Sequence, residues 1–154
     1  MAGSTLYFAY TALIDPSIIS AVAPGAEFAF IAHLPETKLV FPHEAKAWNG
    51  SLPSIVSEPG NTVWGAMFRV STADLRAITA YESDEGRHET HEFKAVDREG
   101  KRHAVVTHAA IASTDLAAPP SRSYMERIVY GGRHWSLPTG WVAGIEEYVE
   151  EPLI

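Results

Sequence analysis

The chain has 154 residues, 12 Lys and Arg against 19 Asp and Glu, a formal net charge of -7, and no cysteine. Its 46% hydrophobic content excludes a disordered chain and is enough for one buried core, so residues 1–154 are expected to form a single domain. The acidic balance excludes a face built to neutralise phosphates, and nucleic acid with it. Without cysteine there is no disulfide framework, thiolate nucleophile or cysteine-ligated zinc.

No targeting segment is read. Residues 1–13 are apolar but lack a basic start, and Asp15-Pro16 interrupts them. No run approaches the roughly 18 apolar residues of a membrane span. A cytoplasmic location away from membranes is therefore expected. The most linker-like piece, residues 117–121 (AAPPS), is too short to separate two domains.

Residues 6–10 (LYFAY) read as a buried, aromatic-rich strand. Asp15 then caps a short helix with Pro16 at its first position, and Pro24-Gly25 ends it. Residues 28–34 form a second apolar strand, and 38–49 read as a loop with a strand fragment. Residues 52–56 and 62–70 flank Glu58-Pro59-Gly60-Asn61, a turn signal that predicts a hairpin between them. Gly65 inside the second run points to a bulge or a close approach by another group. Ser71, with Asp74 three residues on, opens a helix carrying Leu75, Ile78 and Tyr81 on one face and ending between 82 and 86. Residues 89–96 and 102–112 pair around Asp97-Arg98-Glu99-Gly100. Helices follow at 122–130 and 139–148, the last with Trp141, Ile145 and Tyr148 on one face. The order does not alternate as a doubly wound fold would. It reads as α+β, a mostly antiparallel sheet curled around a core with helices outside.

The densest histidine cluster, Arg87-His88-Glu89-Thr90-His91-Glu92, lacks metalloprotease spacing and reads as a solvated polar segment. No glycine-rich phosphate loop and no nucleophile elbow are present. Glu82 is the carboxylate of interest. At the end of a helix with an apolar inner face, it could lie on a cavity rim, partly desolvated and suited to base work.

Several segments carry a resemblance. They are Tyr7-Phe8-Ala9-Tyr10, Trp48-Asn49-Gly50, Pro59-Gly60-Asn61-Thr62-Val63-Trp64-Gly65 leading to Glu82, and the tail Pro120-Ser121-Arg122-Ser123-Tyr124, Ile128, Gly131-Gly132 and Leu137-Pro138. In this order and spacing the chain resembles the gamma-glutamylcyclotransferase (AIG2-like) family from about residue 6 to 148. The resemblance implies a small mixed, mostly antiparallel β-barrel with flanking helices and a cavity. It implies cyclisation of a gamma-glutamyl amine or gamma-glutamyl amino acid to 5-oxoproline, with no metal or other cofactor. A small gamma-glutamyl-type molecule is then the partner, and a homodimer is one option for assembly. The family's Leu-Asp-x-x-Glu motif falls on Ile78-Thr79-Ala80-Tyr81-Glu82, which implies Glu82 as acid/base. The family's Tyr-Gly-Ser-Asn-Leu substrate loop falls on Tyr10-Thr11-Ala12-Leu13-Ile14, matching at Tyr10 and departing at Thr11, Ala12 and Leu13. The implied substrate contacts are Tyr10, the amides of Thr11, Ala12 and Leu13, and Tyr124 from the tail. Trp48 and Trp64 read as loop and core packing. Loss of Gly, Ser and Asn removes close approach and side-chain donors, and Leu13 and Ile14 are expected to line an apolar pocket. Two further readings stay open: a repurposed binder of a small molecule, and an amide hydrolase in which Glu82 activates water.

Overall fold

The computed structural model describes residues 4–110 and 118–149. Residues 1–3, 111–117 (with the end of the expected last strand and Ala117 of the linker-like piece) and 150–154 lie outside them. Among the described residues, five strands close into a barrel in the order β1-β3-β2-β4-β5. They are β1 (Thr5–Ala9), β2 (Glu27–Ala45), β3 (Gly50–Val70), β4 (Glu89–Asp97) and β5 (Arg102–Ala109). All neighbours are antiparallel except β1 and β5, which close the ring in parallel at Tyr7 and Val106. Helices α1 (Pro16–Val22), α2 (Thr72–Asp84), α3 (Arg122–His134) and α4 (Thr139–Glu146) complete the chain. No helix of the described residues is long and apolar enough to cross a membrane. The expected barrel with flanking helices is the fold observed.

Two expectations are corrected. Residues 38–45 are not a loop but the continuation of β2, and residues 52–56 do not pair with 62–70. Both runs belong to one strand, β3, and both pair with β2. The hairpin turn lies instead at Lys46–Trp48, a 3-10 turn closed by Asn49 in the left-handed region at φ 53, where asparagine is tolerated. The Pro59-Gly60 signal makes a bulge. Between the pairs Pro35↔Thr62 and Thr37↔Ser57, Glu36 alone faces residues 58–61. Gly60 turns at φ 82, and its N–H donates to the Glu36 carboxylate at 2.7 Å. Beyond the bulge the hairpin reaches back toward the barrel, where the Ser54 hydroxyl accepts from the Ala110 N–H at 2.9 Å.

The helix starts follow their caps. The Asp15 carboxylate accepts from the Ser17 N–H ahead of Pro16, Ser71 accepts from the Asp74 N–H, and Ser121 from the Tyr124 N–H. Helix α3 runs four residues further than the apolar pattern of 122–130 suggests, and α4 stops at Glu146. Tyr148 falls beyond α4, where it packs against Phe41.

Two apolar layers result. Phe8, Tyr10, Leu34, Ile55, Val63 and Met67 belong to the barrel interior. Tyr7, Ala9, Phe68 and Ile78 pack outside it with Leu13, Ile14 and α3. The expected close approach at Gly65 is observed: a Cβ there would stand 2.6 Å from both the Ala9 carbonyl and the Phe8 ring.

Candidate functional site

Glu82 reaches the interior by helical spacing. It lies four residues after Ile78, and these two are the buried positions of α2. The helix then stops in a Schellman turn. Gly86, at φ 92, takes the left-handed position, its N–H bonds the Ser83 carbonyl, and the Arg87 N–H bonds the Glu82 carbonyl. That turn folds Arg87 back beside Glu82. Arg87 is therefore buried, at 1% exposure, not part of a solvated segment. The rest of that segment, His88 to Glu92, is exposed as expected. His88 bonds Ser83 and His91 bonds Glu89.

The Glu82 side chain is fully buried and holds three donors. Tyr7 Oη donates to Oε2 at 3.1 Å. Thr11 Oγ1 and Arg87 Nη1 donate to Oε1 at 3.2 and 3.1 Å. The guanidinium also donates to the Pro53 carbonyl through Nε at 2.7 Å, to Tyr124 Oη through Nη2 at 3.0 Å, and to Glu85 through Nη1. Tyr124 Oη donates to Glu85 Oε1 at 2.6 Å and also accepts from the Ala12 N–H at 3.0 Å. One donated and two accepted bonds use the full capacity of that hydroxyl. Tyr124 is held in turn by the β3–α3 junction. There Ser51 bridges Pro120, and the Ser121 hydroxyl donates to the Trp48 carbonyl at 2.6 Å.

Burial pushes the Glu82 carboxyl up to about 7, and the Glu85 charge adds to the rise against the Arg87 guanidinium and the bonds from Tyr7 and Thr11. Burial likewise raises the phenols of Tyr7 and Tyr124, so both remain donors at neutral pH. His108, whose ring lies 5.9 Å from Tyr7, is pushed the other way, down to about 4, by burial and by Arg87 and His91. A cleft of about 750 Å³ opens beside the network, lined by Trp48, Leu52, Tyr81, Glu85 and His88 among others. Of the two carboxylates bonded to Arg87, Glu85 is the one that lines it.

Of the expected site residues, Glu82, Thr11, the Ala12 amide and Tyr124 come together. Tyr10 packs in the barrel interior, and its hydroxyl donates to the His108 carbonyl at 2.7 Å while also meeting Ser54 and Arg87. Leu13 is buried, and its N–H points to Thr11 Oγ1 at 3.4 Å. Leu13 and Ile14 do not line an open pocket but fill the layer beneath α3. Trp48 packs edge-on against Tyr124 at 4.9 Å, and Trp64 packs on His33 at 4.8 Å. Three members escaped the sequence reading: Tyr7, Glu85 and Arg87. Tyr7 is legible from strand alternation, which sets it opposite Phe8 and Tyr10. Arg87 is legible from Gly86, once that glycine is read as the helix stop.

The AIG2-like family model matches residues 62–145. The chain belongs to the gamma-glutamylcyclotransferase (AIG2-like) family. It is 29% identical over 140 residues to the Homo sapiens protein named gamma-glutamylcyclotransferase, covering 88% of this chain and 73% of that one. Its fold is similar to a solved gamma-glutamyl cyclotransferase (TM-score 0.86, 26% identity, 98% of this chain and 90% of that one). It is also similar to the crystal structure of an uncharacterized Homo sapiens protein (TM-score 0.85, 26% identity, 97% and 89% covered). These relatives carry the family and the fold; the site geometry above belongs to this chain.

Proposed function

We propose that this member of the family cyclises a gamma-glutamyl amine or related amide to 5-oxoproline and releases the amine. The supporting observation is Glu82, a buried carboxyl raised to about 7 and set behind a cleft. The substrate carries its own nucleophile, so the protein need only fold it and move protons; intramolecular attack has a high effective concentration. The α-ammonium gives a proton to ionised Glu82, and the freed amine attacks the γ-carbonyl. A C–N bond forms to close the five-membered ring. Protonated Glu82 then returns a proton to the leaving nitrogen as the amide C–N bond breaks. The second proton lost by the α-nitrogen ends on the released amine, so none is consumed overall. The expected products of a panel of gamma-glutamyl amino acids and amines are 5-oxoproline and amine in equal amounts. Free glutamate identifies the hydrolase reading instead.

One observation favours the second reading, a small-molecule binder without turnover. The Ala12 and Leu13 amides are bonded to Tyr124 Oη and Thr11 Oγ1, and Thr11 Oγ1 also takes one side of the Glu82 carboxylate. Saturable binding of a gamma-glutamyl compound that is recovered unchanged identifies this case.

A further inference from the structure

We propose that Arg87 anchors the α-carboxylate of the substrate and that Glu85 is a displaceable internal carboxylate seated on that anchor. The proposal rests on the cyclisation reading and names the substrate class it accepts: gamma-glutamyl compounds with a free α-carboxylate.

One guanidinium nitrogen, Arg87 Nη1, serves two carboxylates, Glu82 and Glu85. A single buried cation compensates one negative charge, so whenever Glu82 ionises beside Glu85 the second charge is costly away from water. Glu82 cannot leave, being fully buried in α2 and bonded to Tyr7 and Thr11. Glu85 is also held, by Arg87, Tyr124 and Tyr81, but it caps the helix after Asp84 and its side chain borders the cleft. Rotation toward the cleft would carry its charge into water without unwinding a turn.

What Glu85 would vacate is a carboxylate seat. The two donors that hold Glu85 Oε1, Arg87 Nη1 and Tyr124 Oη, would be left facing the seat, with Nη2 bonded to the Tyr124 oxygen. The seat also fits the chemistry. In a gamma-glutamyl compound the α-carboxylate and the α-amine share one carbon. A carboxylate held on Arg87 therefore brings the amine to Glu82, which lies 3.1 Å from Nη1. Exchanging Glu85 for the substrate carboxylate keeps the buried charge constant. Arg87 would thus supply the anchor that Thr11, Ala12 and Leu13 do not offer.

The test is binding of glutarate to the full chain by titration calorimetry. Glutarate carries the carboxylate but no amine, so it reads the seat without turnover. Glu85→Ala removes the internal occupant and lowers the glutarate Kd about tenfold, and Glu85→Gln lowers it in the same direction. Arg87→Lys, which loses the planar guanidinium that donates to Glu82, Tyr124 and the seat together, raises it about tenfold. Glu85→Gln keeps the side-chain volume and carries the test if Glu85→Ala does not fold. Glutarate binding that is unchanged, weaker or unmeasurable in the folded Glu85 variants overturns the proposal. The two readings fail separately. Tighter glutarate binding without 5-oxoproline from any gamma-glutamyl compound sustains the carboxylate seat and removes cyclisation. 5-Oxoproline with no Glu85 effect sustains cyclisation and removes the seat.

Discussion

Tyr7 and Tyr10 stand three residues apart and face opposite sides of the barrel wall. Tyr10 and Phe8 join the interior with Leu34 and Met67, where Tyr10 Oη donates to the His108 carbonyl and also meets Ser54 and Arg87. Tyr7 looks outward under α2 and donates to a carboxylate. Both sides are buried, so burial alone does not separate structure from chemistry. What separates them is the acceptor: Tyr10 gives its proton to a backbone carbonyl, and Tyr7 gives its own to the Glu82 carboxylate, in a set of carboxylate, guanidinium and phenol. The outer layer holds more carboxylate than its guanidinium can neutralise, and such a set can exchange a proton or a ligand.

The strongest way to break that contrast is one substitution on each side. Glu82→Gln keeps shape and removes the base, so kcat/KM on a confirmed substrate falls about 10²- to 10⁴-fold, while the wild-type value rises with pH through about 7 as Glu82 ionises. Phe8→Ala instead empties the interior against Gly65 and costs about 3–5 kcal/mol of stability by urea unfolding. The pH dependence of its folded fraction is expected to match wild type. An inner-face variant that moves the pH profile, or a Glu82→Gln enzyme within a few-fold of wild type, dissolves the distinction.

Stability against pH sharpens the contrast further, because Glu82 and His108 have opposite signs. Between about 4.5, its ordinary value, and about 7, Glu82 holds a proton in the folded chain that the unfolded chain has released. Its contribution is full below the unfolded value and lost as pH rises through the folded one. His108 is lowered from 6.5 to about 4, so its contribution is full above 6.5 and lost as pH falls toward 4. Urea midpoints from pH 4.5 to 8 read both. Relative to wild type, Glu82→Gln gains on the order of 2 kcal/mol between pH 5 and 8. His108→Gln gains a similar amount relative to wild type on going from pH 6.5 down to 4.5. Parallel curves for wild type and Glu82→Gln sink the assignment of a raised Glu82.

Much of this was legible because local rules and tertiary structure agree. Asp15-Pro16 and Ser71 with Asp74 cap helices for reasons contained in a few residues. Glu82 lies on the buried face because Ile78 does. Where reading failed, a long-range partner decided the outcome. Pro59-Gly60 carries a turn signal, but β2 is long enough to pair on both sides of it, so the turn became a bulge. Residues 38–45 carry little alternation and are held as strand by the facing half of β3. Arg87 sits in a run of exposed polar residues, and only the turn at Gly86 sends it inward. A buried ion pair leaves no apolar period to find.

The smallest expected effects concern two glycines and ask whether the outer layer is as tightly fitted as the interior. Gly131 lets α3 lie directly on residue 14; a Cβ there would stand 2.4 Å from the Ile14 carbonyl oxygen. That is backbone, which cannot yield as a side-chain tip can, and Trp135 Nε1 already donates to the same oxygen at 2.8 Å. Gly131→Ala therefore pushes α3 outward and costs about 1–3 kcal/mol. Because α3 carries Tyr124, the shift also loosens the Ala12 and Arg87 bonds to its hydroxyl, so Tm and substrate KM change together. Gly140 in α4 meets nothing within 4 Å of an added Cβ. Gly140→Ala removes only backbone freedom, in the first turn of α4, and adds about 0.4–1 kcal/mol. Opposite signs from one added methyl, with KM moving only for Gly131→Ala, are the expected result. Equal, small effects at both positions would mean that α3 is free to shift on the barrel and that Tyr124 is not held by packing.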